Sequence, residues 1–249
     1  MAEPVMRMLE ISVTSAVRTV GPRITLHGLE NIPDTGGAVI AVNHTGYVDW
    51  MPASIAAYKR KRRLRFMIKS EMLEVKPVGF LMRHSSMIPV DRSAGAGAYT
   101  VAVERLREGE LVGVYPEATI SRSFELKEFK TGAARMAREA GVPIIPLIVW
   151  GAHRMWTKDH PRKLLRNRVP ITVIVGPPLR PIDSVEQTNA ALREAMTELL
   201  QRAQVGYPRP AGAYWVPQRL GGSAPTLPEA KQLDEAELAE RARKRAESQ

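Results

Sequence analysis

A histidine and an aspartate that stand five positions apart, His44 and Asp49, have the residue types of a general base. Residues five apart on one straight helix point about 140° away from each other, so the two side chains can meet only across a turn. Gly46 lies between them and supplies flexible backbone for that turn. A carboxylate beside an imidazole fixes its tautomer and stabilises its charged form. The spacing predicts that Asp49 orients a base, His44, although such pairs also arise by chance and need support from their surroundings.

The segments on either side of this pair have the patterns of a strand and a helix. Residues 38–42 form a continuous apolar run, which is typical of a buried strand. Residues 47–58 have a pattern typical of a helix. We therefore expect His44 at the exit of a strand and Asp49 in the first turn of the helix that follows.

Polar residues follow other apolar runs in the same way. The runs that predict further strands are residues 64–68, 87–90 and 111–115. Lys69 follows the first run, Arg92 the second and Glu117 the third, and helical segments alternate with the strands. This alternation predicts a single α/β domain with a mostly parallel central sheet flanked by helices. Ligands bind beyond the carboxyl ends of such strands, so we expect His44, Arg92 and Glu117 at one edge of the sheet.

Composition shifts divide the chain into three parts. Residues 1–20 have apolar positions at helical spacing and predict an amphipathic helix, which either packs on the domain core or lies in a lipid interface. Residues 21–205 carry the predicted α/β domain. Residues 206–249 begin with a segment rich in Pro and Gly and end in a charged, helix-prone tail. We expect that tail to be a solvent-exposed or frayed helix.

The composition of the 249 residues excludes several kinds of site. The chain has no Cys, which excludes disulfides, thiolate metal ligands and a cysteine nucleophile. No zinc-site or phosphate-loop spacing occurs, so we expect neither a metal nor a bound cofactor. The formal net charge of +10 favours anionic partners.

Neither a signal peptide nor a membrane-spanning segment is expected from the sequence. The best apolar run, residues 142–152, contains prolines and reaches about half of the roughly 20 residues that a spanning helix needs. Any membrane contact is therefore expected to be peripheral.

A basic cluster at residues 59–63, extended by Arg65, allows three interpretations. It is a solvated loop, a contact for anionic lipid headgroups, or a contact for the phosphates of a nucleotide-tailed cofactor. No aromatic residues are interleaved with these charges, as a binder of single-stranded nucleic acid would need, which disfavours a nucleic-acid partner. We assign no site role to His153, Trp156 or His160, which lie in a later loop.

Four short motifs occur in order along the chain. They are Asn-His-Thr-Gly-Tyr-Val-Asp-Trp at 43–50, Ile-Pro-Val-Asp-Arg at 88–92, Tyr-Pro-Glu-Ala-Thr-Ile-Ser at 115–121 and Val-Pro-Ile-Ile-Pro-Leu at 142–147. In this order they resemble the motifs of the glycerolipid acyltransferases, the family of 1-acylglycerol-3-phosphate acyltransferases. The first resembles the family's His-x4-Asp motif, and the third resembles its Phe-Pro-Glu-Gly-Thr-Arg-Ser motif. Residues 127–132 also resemble the family's Phe-Lys-x-Gly region. The resemblance extends over roughly residues 25–180.

This resemblance implies roles for individual residues. His44 and Asp49 correspond to the catalytic pair. The residues that it implies in substrate binding are Arg92, Glu117, Thr119, Lys69, Lys130 and Arg122. Ala118 replaces the family's glycine, which we interpret as a small change, and Ile120 replaces an arginine that is expected to hold the acceptor's phosphate. Arg92 is therefore the expected phosphate ligand, with the neighbouring cations assisting it.

The family resemblance also implies an activity. A fatty acyl group passes from a thioester, acyl-CoA or an acylated acyl carrier protein, to the free hydroxyl of 1-acylglycerol 3-phosphate and gives phosphatidic acid for phospholipid biosynthesis. No covalent acyl-enzyme is expected, because the chain has no Cys and no Gly-x-Ser-x-Gly motif. We expect a peripheral protein at the anionic surface of the cytoplasmic face of the cell membrane.

Other activities stay open at this point. Because of Ile120, the acceptor could instead be a glycolipid, lysophosphatidylinositol or glycerol 3-phosphate. A thioester hydrolase would keep the same base and use water as the acceptor. A basic nucleic-acid-binding module is the alternative that is not an enzyme, and the ordered motifs argue against it.

Overall fold

The structure is a computed structural model that describes residues 15, 21–69, 87–90, 97–164, 168–182 and 184–247. The predicted N-terminal amphipathic helix, apart from Ser15, and the predicted phosphate ligand Arg92 lie outside the described residues. The described strands are β1 (Arg23–His27), β2 (Ala38–Val42), β3 (Leu64–Lys69), β4 (Ile88–Val90), β5 (Leu111–Val114), β6 (Ile144–Trp150) and β7 (Pro170–Val175). The described α-helices are α1 (Trp50–Lys59), α2 (Gly97–Arg107), α3 (Gly132–Ala140), α4 (Val185–Gln204) and α5 (Leu227–Glu247).

The seven strands form one sheet in the order β1-β7-β6-β2-β5-β3-β4. The five strands from β6 to β4 are parallel to one another. β7 pairs antiparallel with β6, and β1 pairs parallel with β7. The prediction of a mostly parallel sheet flanked by helices is therefore confirmed.

Strand β2 lies at the centre of the sheet and is buried on both faces, since all five of its residues are buried. Side chains alternate between the faces of a strand. Val39 and Ala41 belong to the core cluster that contains residues of α2, α3 and α4. Ile40 and Val42 belong to the opposite cluster, to which α1 contributes. Because both faces are covered, the sequence of β2 is continuously apolar.

Helix α1 approaches the sheet through small side chains. Ala53, Ala56 and Ala57 are buried, and none is more than 1% exposed. Small residues allow the helix axis to lie close to the strands, which places the start of α1 directly beside the carboxyl end of β2. None of the helices in the described ranges combines the length and the apolar character needed to cross a bilayer.

The segment after α4 is irregular, as the Pro and Gly content predicts, but it belongs to the core. Tyr207, Trp215, Val216 and Ala224 are buried in the same cluster as α4. The tail that follows is helical, which confirms the prediction of a helix. The expectation of a solvent-exposed helix is wrong for one face of α5, because Ala230 is 1% exposed and the acidic residues beside it bind loops of the domain.

Candidate active site

The carboxyl edge of the sheet brings His44 and Asp49 together across the predicted turn. His44 lies two residues after β2, and Asp49 immediately precedes α1. Nδ1 of the imidazole is 3.3 Å from Oδ2 of the carboxylate. The histidine side chain is 19% exposed and the aspartate side chain is fully buried. Because Nδ1 faces the carboxylate, Nε2 is the ring nitrogen left to exchange a proton.

Backbone donors fix the orientation of Asp49. The N–H groups of Thr45 and Gly46 each donate to Oδ2 at 2.7 Å. Burial raises the pKa of Asp49, while the hydrogen bonds and charge of His44 and the two amides oppose that rise. Three donors on one oxygen hold the carboxylate in a single position, so Asp49 can orient the imidazole.

Gly46 is required for a reason that differs from our prediction. It is not among the residues with a positive φ, so the turn does not depend on a left-handed glycine. A Cβ at this position would lie 2.7 Å from the carbonyl oxygen of Trp156 and 2.9 Å from Cα of His153. Gly46 therefore permits the close approach of a second loop.

That second loop follows β6 and supports the turn through hydrogen bonds. The N–H of Tyr47 donates to the carbonyl oxygen of Trp156 at 3.0 Å. The hydroxyl of Thr157 donates to the carbonyl oxygen of Thr45 at 2.7 Å. The sequence analysis missed this support, because more than 100 residues separate the partners and no local pattern connects them.

His153 lies beneath the turn as an uncharged, buried side chain. Its Nδ1 is 3.4 Å from Oγ1 of Thr45. Its ring contacts the rings of Phe124, Trp150 and Trp215, with centroids 4.6 to 5.7 Å apart. Burial lowers the pKa of His153 to about 3, so the ring is neutral at physiological pH. His153 is thus a packing residue beneath the turn and not a second base.

Glu117 joins the neighbouring strand end to His44. It follows β5, and its Oε1 accepts a hydrogen bond from the backbone N–H of His44 at 2.8 Å. Its Oε2 accepts from the backbone N–H of Lys127 at 3.1 Å. The N–H of Ser121 donates to the carbonyl oxygen of His44 at 2.8 Å. Burial raises the pKa of Glu117 to about 7, with the two amides and the Lys127 charge opposing the rise.

Asn43 joins β2 to β6 just beyond their last paired residues. Its side-chain amide donates to the carbonyl oxygen of Val149 at 3.1 Å, and its side-chain oxygen accepts from the N–H of Val149 at 2.7 Å. The side chain is fully buried. It replaces a backbone partner where the strands separate to make room for the turn. Our sequence analysis gave Asn43 no role of its own.

An aromatic stack covers one face of the imidazole. The ring of Tyr115 lies 3.9 Å from the ring of His44, with an angle of 16° between the planes. The ring of Phe66 also stacks with Tyr115, with centroids 5.4 Å apart. Burial raises the pKa of Tyr115 well above its usual value, so the phenol stays neutral. A neutral aromatic ring in this position can stabilise positive charge that develops on the imidazole during proton transfer.

The residues to which the resemblance gave a part in substrate binding differ in their surroundings. Ile120, which stands where the family has an arginine, is buried at 4% exposure. Lys69 ends β3, two strands from β2 in the sheet, and Lys130 is exposed just before α3. The hydroxyl of Thr119 accepts a hydrogen bond from the ammonium of Lys127. These positions leave Lys69 and Lys130 as candidates at the catalytic edge.

Arg122 is surrounded by carboxylates. Its guanidinium contacts Asp159 at 2.6 Å, Glu237 at 2.8 Å and Asp234. The side chain is 8% exposed. In this structure Arg122 is therefore engaged by side chains of the protein, and a role in binding the acceptor's phosphate stays a prediction that would require its release.

Ala118 has a backbone conformation that favours glycine. Its φ is 60°, in the left-handed region. The replacement of the family's glycine is therefore larger than our sequence analysis supposed, because a Cβ in this region costs roughly 1–2 kcal/mol.

The basic cluster lies at the opposite edge of the sheet. Residues 59–63 precede β3, whose six residues span about 20 Å. Arg62 donates to the carbonyl oxygens of Pro33, Gly36 and Gly109 at 2.6 to 2.8 Å. This part of the cluster joins loops of the domain. Contact of the remaining basic residues with anionic lipid headgroups, or with the phosphates of a nucleotide-tailed cofactor, stays a prediction.

A family model described as Acyltransferase matches residues 23–150, which is half of the chain and includes β1 to β6 with the His44–Asp49 pair. The chain belongs to the acyltransferase family. The predicted membership is thereby confirmed, and the matched segment contains every strand end that contributes to the site described above.

Curated relatives have names of the same kind. A 1-acyl-sn-glycerol-3-phosphate acyltransferase of Bacillus subtilis is 28% identical over 180 residues, which cover 72% of this chain and 85% of the relative. The enzyme of that name from Borreliella burgdorferi is 26% identical over 155 residues and 61% of each chain. The chain thus spans most of the first relative and about three fifths of the second.

A solved structure has the same fold. The crystal structure of the 1-acyl-sn-glycerophosphate (LPA) acyltransferase PlsC from Thermotoga maritima matches with a TM-score of 0.69. The match covers 82% of this acyltransferase and 81% of that chain, at 20% sequence identity. This structural similarity supports the α/β fold described for the present chain.

Proposed function

We propose that this acyltransferase transfers a fatty acyl group from a thioester to the free hydroxyl of 1-acylglycerol 3-phosphate and so forms phosphatidic acid. The observation that carries the proposal is the His44–Asp49 pair at 3.3 Å, with the carboxylate held by two backbone amides and Nε2 of the imidazole left for proton transfer. The names of the relatives supply the acceptor.

The proposed reaction proceeds in two proton-coupled steps. Nε2 of His44 removes the proton from the acceptor hydroxyl as its oxygen attacks the thioester carbonyl, and Asp49 and the ring of Tyr115 stabilise the imidazolium that forms. The tetrahedral intermediate then collapses to the new ester and breaks the carbon–sulfur bond. The imidazolium returns its proton to the departing thiolate. The protein therefore needs no acyl-enzyme and no metal in this scheme.

Glu117 positions the base in this scheme. Both of its oxygens accept backbone N–H groups, from His44 and Lys127, so neither is free to remove a proton from a substrate. We assign it to holding the strand ends in register, which keeps the imidazole in place.

The phosphate of the acceptor requires cations at the same edge. We propose Arg92, with Lys69 and Lys130 assisting. In the sequence Arg92 follows β4, Lys69 ends β3 at the carboxyl edge of the same sheet, and the backbone N–H of Lys130 donates to the carbonyl oxygen of Pro116, next to Glu117. The donor is acyl-CoA or an acylated carrier protein. A lipid acceptor favours a location at a membrane, and the net charge of +10 favours an anionic surface at the cytoplasmic face.

The test uses purified full-length protein, labelled palmitoyl-CoA and a panel of acceptors. We expect 1-acylglycerol 3-phosphate to be acylated best and His44→Ala to abolish transfer. His27→Ala, which changes an exposed histidine at the end of β1, is the matched control and should retain activity.

Three results would change the proposal. Near-normal transfer by His44→Ala would remove the base assignment. Transfer only to a glycolipid, lysophosphatidylinositol or glycerol 3-phosphate would replace the acceptor, as the buried Ile120 allows. Thioester cleavage that no acceptor stimulates would identify a hydrolase.

A separate variant tests the phosphate ligand. Arg92→Ala should mainly raise KM for the phosphorylated acceptor, and an unchanged KM would assign the phosphate to other cations.

A further inference from the structure

Helix α5 contacts the catalytic domain through two acidic residues. Asp234 and Glu237 lie about one turn apart on its inner face and are 18% and 24% exposed. Asp234 accepts from Lys127 at 2.7 Å and from Lys158 at 3.2 Å, and it also contacts Arg122. Glu237 accepts from Arg122 and Lys158, each at 2.8 Å.

The cations in this network come from two separate loops. Arg122 and Lys127 belong to the loop between β5 and α3, whereas Lys158 belongs to the loop between β6 and β7. Arg122 also reaches across to Asp159 of the second loop at 2.6 Å. The carboxylates of α5 therefore connect two loops that are distant in sequence.

Both loops hold the catalytic turn. The first supplies Glu117 and Ser121, which bind the backbone N–H and carbonyl of His44 at 2.8 Å each. The second supplies Trp156 and Thr157, whose oxygens bind the backbone of the residues that follow His44 at 3.0 Å and 2.7 Å. The turn that carries His44 is thus held between two loops, and the carboxylates of α5 connect these two loops to each other.

Lys127 transmits the position of α5 to the base. Its ammonium binds Asp234 at 2.7 Å and also donates to the hydroxyl of Thr119. Its backbone N–H donates to Glu117 at 3.1 Å, and Glu117 binds the N–H of His44. Only two residues therefore separate the carboxylate of α5 from the base.

This network of ion pairs should contribute more to stability than a typical pair of exposed charges. Isolated exposed pairs contribute little, but networks of partly buried side chains are screened less by solvent and salt. The cations Arg122, Lys127 and Lys158 are 8%, 20% and 13% exposed. Loss of the carboxylates would leave partly buried positive charges that repel one another across the two loops.

We propose that α5 is a clamp on the active site, in which Asp234 and Glu237 are positioning residues that hold both loops against the turn carrying His44. The clamp acts on the position of the base and does not depend on which acceptor is used. Only its activity readout rests on the function proposed above.

The test compares Asp234→Asn, Glu237→Gln and the double variant in the full-length protein. Glu235→Gln is the matched control, because Glu235 lies on the same helix, is 63% exposed and pairs only at 4.0 Å with Lys231 among the described residues. Hydrogen exchange is measured at the backbone amides of Tyr47, Ser121 and Lys127. The kcat and KM for palmitoyl-CoA and 1-acylglycerol 3-phosphate are measured on the same samples.

We expect faster exchange at all three amides and a fall in kcat of about 10- to 100-fold with KM nearly unchanged, because small displacements of a catalytic group have effects of this size. Glu235→Gln should match the wild type. Hydrogen exchange that is unchanged in the Asp234 and Glu237 variants would overturn the clamp. A lowered Tm with a normal kcat per folded molecule would also overturn it, because α5 would then only stabilise the fold.

Two further results distinguish a clamp from an inhibitory helix and from an inactive protein. A rise in kcat in either single variant would overturn the clamp and identify α5 as an inhibitory element. If the wild type transfers no acyl group to any acceptor, the proposed function fails, while the exchange measurement still decides the clamp. If the double variant does not fold, the two single variants decide it.

Discussion

The backbone N–H of His44 donates to Oε1 of Glu117 at 2.8 Å, so the base and the glutamate of the neighbouring strand end are joined through the main chain. The second oxygen of Glu117 is used by Lys127. The glutamate therefore controls where the imidazole lies without contacting the imidazole itself.

Glu117→Gln should lower kcat by about 10-fold, because misplacement of a catalytic group by a fraction of an ångström has effects of this order. The amide oxygen can still accept one N–H, but the NH₂ group faces the other donor, so one of the two contacts is lost. Steady-state kinetics measures the effect. Glu125→Gln, in the same loop but paired with Arg219, is the control that should behave as wild type.

The stability of the protein should depend on pH through Glu117. Burial raises its pKa from 4.5 to about 7. Between these values the folded state holds a proton that the unfolded state has released, so the free energy of unfolding falls as pH rises through that window. Relative to Glu117→Gln, the wild type should lose up to about 3 kcal/mol across it. Urea unfolding of both proteins from pH 4.5 to 7 tests this, and parallel pH profiles would contradict it.

Asn43→Ala should destabilise the protein by about 2–4 kcal/mol, because two buried hydrogen bonds are lost and both polar groups of Val149 lose their partner. Asn31→Ala removes one partly buried hydrogen bond, to Val175, and should have about half that effect or less. Urea unfolding measures both. Equal losses in the two variants would show that the side chain of Asn43 does not act as a bridge between strands.

Ala118→Gly should stabilise the protein by about 0.5–1 kcal/mol. Relief of the left-handed alanine gains roughly 1–2 kcal/mol, and the added freedom of the unfolded chain removes part of this gain. Ala211→Gly is the control, because Ala211 is an exposed loop residue whose φ is not positive, and it should destabilise slightly. A loss of stability in Ala118→Gly would mean that the strain inferred at this position is absent.

Local patterns were sufficient for the strands, the alternating helices and the His44–Asp49 pair. Strand β2 is apolar at every position because it is buried on both faces, and this is visible in five consecutive letters. His44 and Asp49 are close in sequence, and a strand followed by a helix leaves one way for them to meet. These features depend on neighbours within a few residues, so the sequence alone determined the fold class, the family and the location of the candidate base.

The supports of the site depend on contacts between distant segments, and only the tertiary structure decided them. Asn43 bridges to Val149, and Gly46 is required by the backbone of Trp156 and not by its own conformation. Arg122, which the family resemblance assigned to the substrate, is bound by carboxylates more than 100 residues away on α5. The tail looked solvent-exposed because charged residues normally face water. Burial and ion pairing arise only when distant segments of the chain pack together. An ion pair between α5 and a loop therefore leaves no periodic pattern in the sequence of either segment.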